Sequence, residues 1–110
     1  MSLQIVIAQR AEQDMALQHR WYLENAEDEE VAERYLMAVD QTIQRLAAHP
    51  ELGLRRHFQS SELAGIRSFQ AARPFHKHLI FYQAEDHLSI ERIMHGARDL
   101  PRRLLEEPEG

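Results

Sequence analysis

Val31, Tyr35, Val39, Ile43 and Leu46 step along the chain by 4, 4, 4 and 3 residues, with Ala32, Leu36 and Ala47 beside them. That spacing holds every apolar side chain on one stripe of an α-helix and cannot be met by the two-residue alternation of a strand. It predicts a long amphipathic helix that must bury one face against another layer. Asp28, with acids around it, marks the start, and Pro50 after His49 stops it.

The flanking segments say what that face packs on. Upstream, "LQIVIA" (Leu3 to Ala8) is β-branched and almost continuously apolar, as in a strand covered at least partly on both faces. From Arg10 the period becomes helical, with Met15, Leu17, Trp21 and Tyr22 recurring up to about Asn25. The polar "NAEDEE" then joins two helices in an antiparallel hairpin. "HPELGLRRHFQSSELAG" reads as a loop, punctuated by Pro50, Gly53 and Gly65. Beyond it the period becomes two, and Ile66 to Ala72, His76 to Ala84 and Leu88 to His95 read as strands, the last two joined by "EDH". In the middle strand Leu79 and Phe81 give bulk to one face and Ile80 and Tyr82 to the other, so it is expected to be central, with its second face partly covered. "DLPRRLLEE" ends the chain as a short helix, with Asp99 as N-cap, Pro101 in its first turn and Leu100, Leu104 and Leu105 as its apolar side. The order βααβββ(α) is that of an α+β domain in which a helical hairpin covers one face of a small, antiparallel-rich sheet. A single domain over residues 1–110 is expected, since 110 residues bury one modest core and not two.

Composition removes several functional classes. With no cysteine, neither a disulfide framework nor a thiolate metal site is available. No apolar run approaches the roughly 20 residues of a membrane span. "MSLQIVIAQR" is too short and polar for a secretory signal, so a cytoplasmic protein is expected. A formal charge of −5 does not suit a chain whose main partner is nucleic acid, and no direct sequence-specific nucleic-acid binding is expected. The charge is uneven, however. Acids gather between Glu24 and Glu33 and in "EEPEG", whereas the segment from Leu54 to Arg103 carries Arg55, Arg56, Arg67, Arg73, Lys77, Arg92, Arg98, Arg102 and Arg103. Such a basic half takes phosphates or an acidic protein equally well.

The phosphate-binding motifs G-x-x-x-x-G-K-[ST] and G-x-G-x-x-G are absent, and so is the hydrolase elbow G-x-S-x-G. His76 and His78 lie two apart on one strand, with His57 and His95 as possible neighbours, but no carboxylate–histidine motif accompanies them; neither a metal nor a cofactor is expected. The densest cluster is in "IERIMHGARDLPRRL", where His95, Gly96, Arg98 and Asp99 stand at a strand-to-helix junction. Elementary chemistry gives these residues structural roles: Gly96 for a positive-φ turn, Asp99 as a cap, Arg98 for an ion pair and His95 bonded to backbone.

"AEQDMALQHRWY", "HPELGLRR", "LAGIRSF", "HKHLIFYQ" and, above all, "IERIMHGARDLPRRL" resemble the ParE branch of the RelE/ParE superfamily of toxin–antitoxin toxins, which shares the order βααβββ and ends a strand in His-Gly-x-Arg-Asp. The resemblance implies a type II toxin that poisons DNA gyrase by binding and trapping its cleaved-DNA complex, as opposed to the RelE branch, which cuts mRNA on the ribosome. The implied target contact is Arg98, Asp99, Arg102 and Arg103, with Arg67 and Arg73. A ribonuclease would instead draw on His95 as base and on Arg67, Arg73, Arg92 and Arg98 around the phosphate. Against it, Lys77 is the only lysine and no tyrosine follows Tyr82. The resemblance also implies an antitoxin partner, acidic, partly disordered and carrying its own DNA-binding part, in a hetero-oligomer. Ile80, Tyr82, Leu100, Leu104 and Leu105 are the expected antitoxin contacts, the three leucines covering the sheet when it is absent. A third reading is a non-toxic member that only binds its partner and regulates their operon.

Overall fold

The computed structural model describes residues 1–96, 100 and 102–108. In chain order the elements are β1 (Ile5–Ile7), α1 (Gln9–Asn25), α2 (Glu30–Ala48), β2 (Leu54–Arg55), β3 (Arg67–Gln70), β4 (His78–Ala84), β5 (Leu88–His95) and α3 (Arg102–Leu105), with 3-10 turns at Pro50–Leu52 and Ser61–Leu63. The sheet has the order β1-β5-β4-β3-β2, antiparallel throughout except for β1, which runs parallel to β5. This is the α+β architecture expected of the RelE/ParE-like fold. The stretch expected to be wholly loop differs: Leu54 and Arg55 pair with Ser68 and Arg67, adding a short edge strand.

The helical hairpin covers one face. The stripe of α2 buries Tyr35, Val39, Ile43 and Leu46 against Ile80, Tyr82, Leu88, Ile90 and Ile93 of the central strands. Asp28 starts this helix by accepting the backbone N–H of Glu30 at 2.9 Å, two residues on. Two sequence expectations are corrected here. Only one face of β1 is covered, because Ile5 and Ile7 pack on the core while Val6 is exposed. Trp21 shares the apolar spacing of α1 yet points outward, 57% exposed; the buried positions of that helix are Ala11 and Asp14.

The second face is covered too, as the two-sided middle strand required. Phe81 and Met94 pack with Leu63, Ile66 and Leu104, and Leu79, Leu100 and Leu105 join them. The α3 leucines therefore lie across the sheet as a cover. A one-residue irregularity decides which side chains reach which face. Phe81 pairs with Arg92 but Tyr82 pairs with Ile90, so Glu91 is an extra residue, a β-bulge in β5. Leu88 and Ile90 face the helices before it and Ile93 after it, whereas Arg92 and Met94 turn to the side of α3.

Tyr82 fastens the segment that leads into β2. Its hydroxyl accepts the Gly53 N–H at 2.8 Å and donates to the Pro50 carbonyl at 2.7 Å. Burial raises the pKa of this phenol, which keeps it a donor. A Cβ on Gly53 would overlap the Tyr82 hydroxyl and ring. Gly53→Ala is therefore expected to destabilise the fold by about 1–3 kcal/mol in urea unfolding, because a buried ring has to move.

Candidate functional site

β1 pairs with β5 only from Leu88 to Ile90, and the Ala8 N–H closes the ladder on the Ile90 carbonyl. From there no strand among the described residues lies beside the outer edge of β5, and helix α1 takes the strand's place. Asp14 and Gln18, one turn apart on one face of α1, reach the two backbone groups of Ile93. Asp14 Oδ2 accepts the Ile93 N–H at 3.0 Å, and Gln18 Nε2 donates to the Ile93 carbonyl at 2.7 Å. The Tyr35 hydroxyl donates to Gln18 Oε1 and fixes that amide.

Asp14 also holds Arg92. The guanidinium donates through Nε to Oδ2 at 2.8 Å and through Nη2 to Oδ1 at 2.9 Å, a two-pronged pair in which both residues are buried. Its remaining prong, Nη1, donates to the carbonyls of Arg103, Leu104 and Glu106, at 2.8, 3.3 and 2.5 Å. One side chain thus joins α1, β5 and the turn that follows α3.

Next to this knot the start of β4 meets the end of β5. His78 and His95 are cross-strand partners with ring centroids 4.8 Å apart, edge to face. His78 is buried, its Nε2 lies 2.9 Å from the Tyr22 hydroxyl and its Nδ1 has no partner among the described residues. Burial first, and the neighbouring His95 second, push its pKa down to about 4. His95 itself is exposed. With Gln18, Trp21, Tyr22 and His78 it lines a cleft of about 320 Å³. His95 also borders a second cleft of about 400 Å³, on which Arg92, Arg102 and Arg103 converge.

The candidate residues of the sequence thus separate into groups. Arg92, His95, Arg102 and Arg103 share one cleft. Arg67 does not join them: its Nη1 donates to the Gly53 carbonyl at 2.9 Å, bracing the loop before β2. Arg73 is exposed in the β3–β4 turn. Gly96 has the positive φ, 83°, that its turn required. Arg98, Asp99 and Pro101 lie outside the described residues. Arg102 pairs with Glu106 at 2.8 Å on the surface. Arg92 is 4% exposed, and each of its three guanidinium nitrogens is bonded within the protein, so its role is to hold the fold and not to reach out to a substrate phosphate. Ile80 and Tyr82 are fully buried under α2 and offer a partner no surface; this corrects their expected role as antitoxin contacts. Leu104 is buried, with Leu100 and Leu105 half-buried. Among the described residues no group of three or more His, Asp or Glu is placed to hold a metal ion.

Asp14 and Gln18 escaped the sequence reading. Their signal is a pair of polar residues four apart, interleaved with Ala11, Met15 and Tyr22 on the stripe that α1 buries. Asp14→Ala is expected to cost about 3–5 kcal/mol in urea unfolding, because it strands a buried guanidinium. Asp14→Leu combined with Arg92→Met, which removes both charges, is expected to cost less than Asp14→Ala alone.

The depressed His78 pKa has a definite sign. Between pH 6.5 and about 4 the unfolded chain holds a proton on this residue that the folded chain does not. The folded state is therefore fully favoured above about pH 6.5, and stability falls as the pH drops toward 4, by up to about 1.4 kcal/mol per pH unit. Urea unfolding between pH 7 and pH 5 is expected to show a shallower loss in His78→Gln than in the native chain, and equal slopes would count against this origin.

Comparison with known proteins places the whole arrangement. Residues 5–100 match the family model described as the ParE toxin of type II toxin–antitoxin system, parDE. A solved structure, the chromosomal ParDE toxin–antitoxin system from P. aeruginosa, superposes with a TM-score of 0.69 at 14% sequence identity, over 87% of this chain and 98% of that one. At that identity the likeness is one of fold. No curated protein matches the sequence. No helix among the described residues is long and apolar enough to cross a membrane. With the family model spanning β1 to the start of the C-terminal turn, the chain belongs to the ParE toxins of type II toxin–antitoxin systems.

Proposed function

We propose that this chain is the toxin of a type II pair, that a cognate acidic antitoxin binds and neutralises it, and that its free form acts in the cytoplasm on DNA gyrase. It acts there by docking and trapping the cleaved-DNA complex, with no chemistry of its own. The observation that carries this over the ribonuclease reading is the use made of the arginines. A site that cleaves RNA through the 2′-hydroxyl needs cations whose donors point into an open cleft at the developing phosphorane. Arg92 is enclosed by Asp14 and three carbonyls, and Arg67 is bonded to a loop carbonyl. His95 faces His78.

The target contact falls on the C-terminal segment. Arg102 is exposed and Arg103 half-buried beside the cleft that His95 borders, and Arg98 and Asp99 adjoin them in sequence. Glu106 and Glu107 line the same cleft, and a rim of mixed charge steers and orients a protein partner more than it supplies catalytic power. The antitoxin is the natural complement of a basic sheet half on a chain whose overall charge is −5.

Purified chain added to a gyrase supercoiling reaction is expected to accumulate linear, cleaved plasmid, and its induction alone in cells is expected to arrest growth. Arg98→Ala with Arg102→Ala is expected to reduce both effects while thermal unfolding stays that of the native chain. Arrest with gyrase untouched and translated mRNA cut would move the assignment to the ribonuclease branch. Normal growth with gyrase untouched would leave an antitoxin-binding module without toxicity.

A further inference from the structure

Trp21 is the only tryptophan of the chain, and the fold leaves it 57% exposed on α1, one turn before that helix ends at Asn25. It borders the cleft of about 320 Å³ whose other walls are Gln18, Tyr22, His78 and His95. The rings of this cleft are locked to one another. Trp21 meets Tyr22 edge to face with centroids 5.3 Å apart, the Tyr22 hydroxyl lies 2.9 Å from His78 Nε2, and His78 meets His95 edge to face. A cleft already set by such contacts loses little freedom when it is filled, and an indole at its rim is the side chain type richest in binding energy at protein contacts.

The walls select what can enter. The Gln18 amide and the Tyr22 hydroxyl are already bonded inside the protein, and burial keeps His78 neutral at neutral pH. An apolar ring suits such walls better than a polar or charged group. The volume lies at the small end of the roughly 300–1,000 Å³ of ligand clefts, enough for one ring and not for an extended molecule. Charge decides what that ring is attached to. On one side lies the tip of the helical hairpin, where Glu24, Glu27, Asp28, Glu29 and Glu30 are all exposed. A nucleobase would bring phosphates against these acids, whereas a protein segment can bring lysines or arginines to them. On the other side the cleft shares Gln18 and His95 with the one that Arg102 and Arg103 line, so it runs on into the C-terminal segment assigned to the target.

We infer that this cleft anchors the target protein: it takes one aromatic side chain of the target, packed beside Trp21 and flanked by basic residues that meet the hairpin acids. The inference rests on the gyrase reading above and adds a part of α1 to the surface that reading uses. Trp21 and His95, both exposed, are then contact residues. Gln18, Tyr22 and His78 are positioning residues, since their bonds to Ile93, Tyr35 and one another hold the walls in place.

The test begins with the native chain in the gyrase supercoiling reaction; if no linear plasmid appears, the gyrase reading and this inference fall together. Where it does appear, Trp21→Ala is expected to need roughly tenfold or more protein for the same cleavage, and Trp21→Phe, which keeps a ring, to stay within about threefold of the native chain. Thermal unfolding of both variants is expected to stay close to native, because the side chain is exposed. A second readout needs no loss of the ring. Since Trp21 is the only tryptophan, growth on 5-hydroxytryptophan places a single probe at the rim, excited at wavelengths that the tryptophans of gyrase do not absorb. Its quenching by acrylamide is expected to fall severalfold when gyrase is added. Undiminished quenching, or native poisoning by Trp21→Ala, would overturn the inference and leave the gyrase reading standing. Equal loss of gyrase cleavage and of binding to the protein encoded by the adjoining gene in Trp21→Ala would assign the cleft to the antitoxin and overturn the inference in that way.

Discussion

The fold turns on one buried ion pair. Asp14 and Arg92 are 78 residues apart in sequence, and both side chains are more than nine-tenths buried. Two charges so placed are stable only when every prong is answered. Here the carboxylate has the fork and a strand N–H, and the fork's last nitrogen has three carbonyls. The consequence is positional. Because Arg92 grips the carbonyls of residues 103–106, the C-terminal turn is drawn across the second sheet face, and Leu104 comes down on Phe81 and Met94. Without that grip a four-residue helix has little of its own to keep it helical.

A single extra residue makes the pair possible. Strict alternation through "LSIERIMH" would put Leu88, Ile90, Arg92 and Met94 on the same face, under the helices. The bulge at Glu91 resets the count, so that Ile93 takes the helical side and Arg92 is released toward α3. It also brings His95 opposite His78, beneath Tyr22 and beside Tyr35. The bulge, the ion pair and the imidazole pair are therefore one arrangement of β5.

Much of this was legible in the residues and some was not, for identifiable reasons. The long stripe of α2 and the period-two strands are statements about many residues at once, and they survived, as did the two-sided character of β4, although β3 is reduced to Arg67–Gln70 and β4 begins at His78, which leaves His76 in the preceding turn. β2 left no signal because two residues have no period. The bulge left none because inserting one residue alters which face is apolar without altering how apolar the segment is. Trp21 was misplaced since a hydropathy pattern cannot tell a buried ring from one at the hairpin's rim. Asp14 and Gln18 were passed over because polar residues on a buried stripe look like noise until a strand edge is found beside them. Ile80 and Tyr82 share one face, as expected, but that face is the one the helices cover. Arg92 was grouped with the surface arginines because charge in a sequence carries no burial.

That last confusion bears on how activity in this chain is to be assigned. Arg103 stands on the turn that Arg92 holds, and Arg102 is tied by Glu106 to the same turn, where Arg92 also donates to the Glu106 carbonyl. Any change at Asp14 or Arg92 therefore displaces the C-terminal segment, whatever that segment contacts. Loss of toxicity in such variants is the expected result for a binding poison as much as for a nuclease, so it does not identify Arg92 as catalytic. Discrimination has to come from exposed side chains. Arg102 is exposed and pairs with Glu106 one turn away on the surface, whereas Arg92 is buried between the sheet and the C-terminal turn, so a change at Arg102 reports on surface contact more directly than one at Arg92 does.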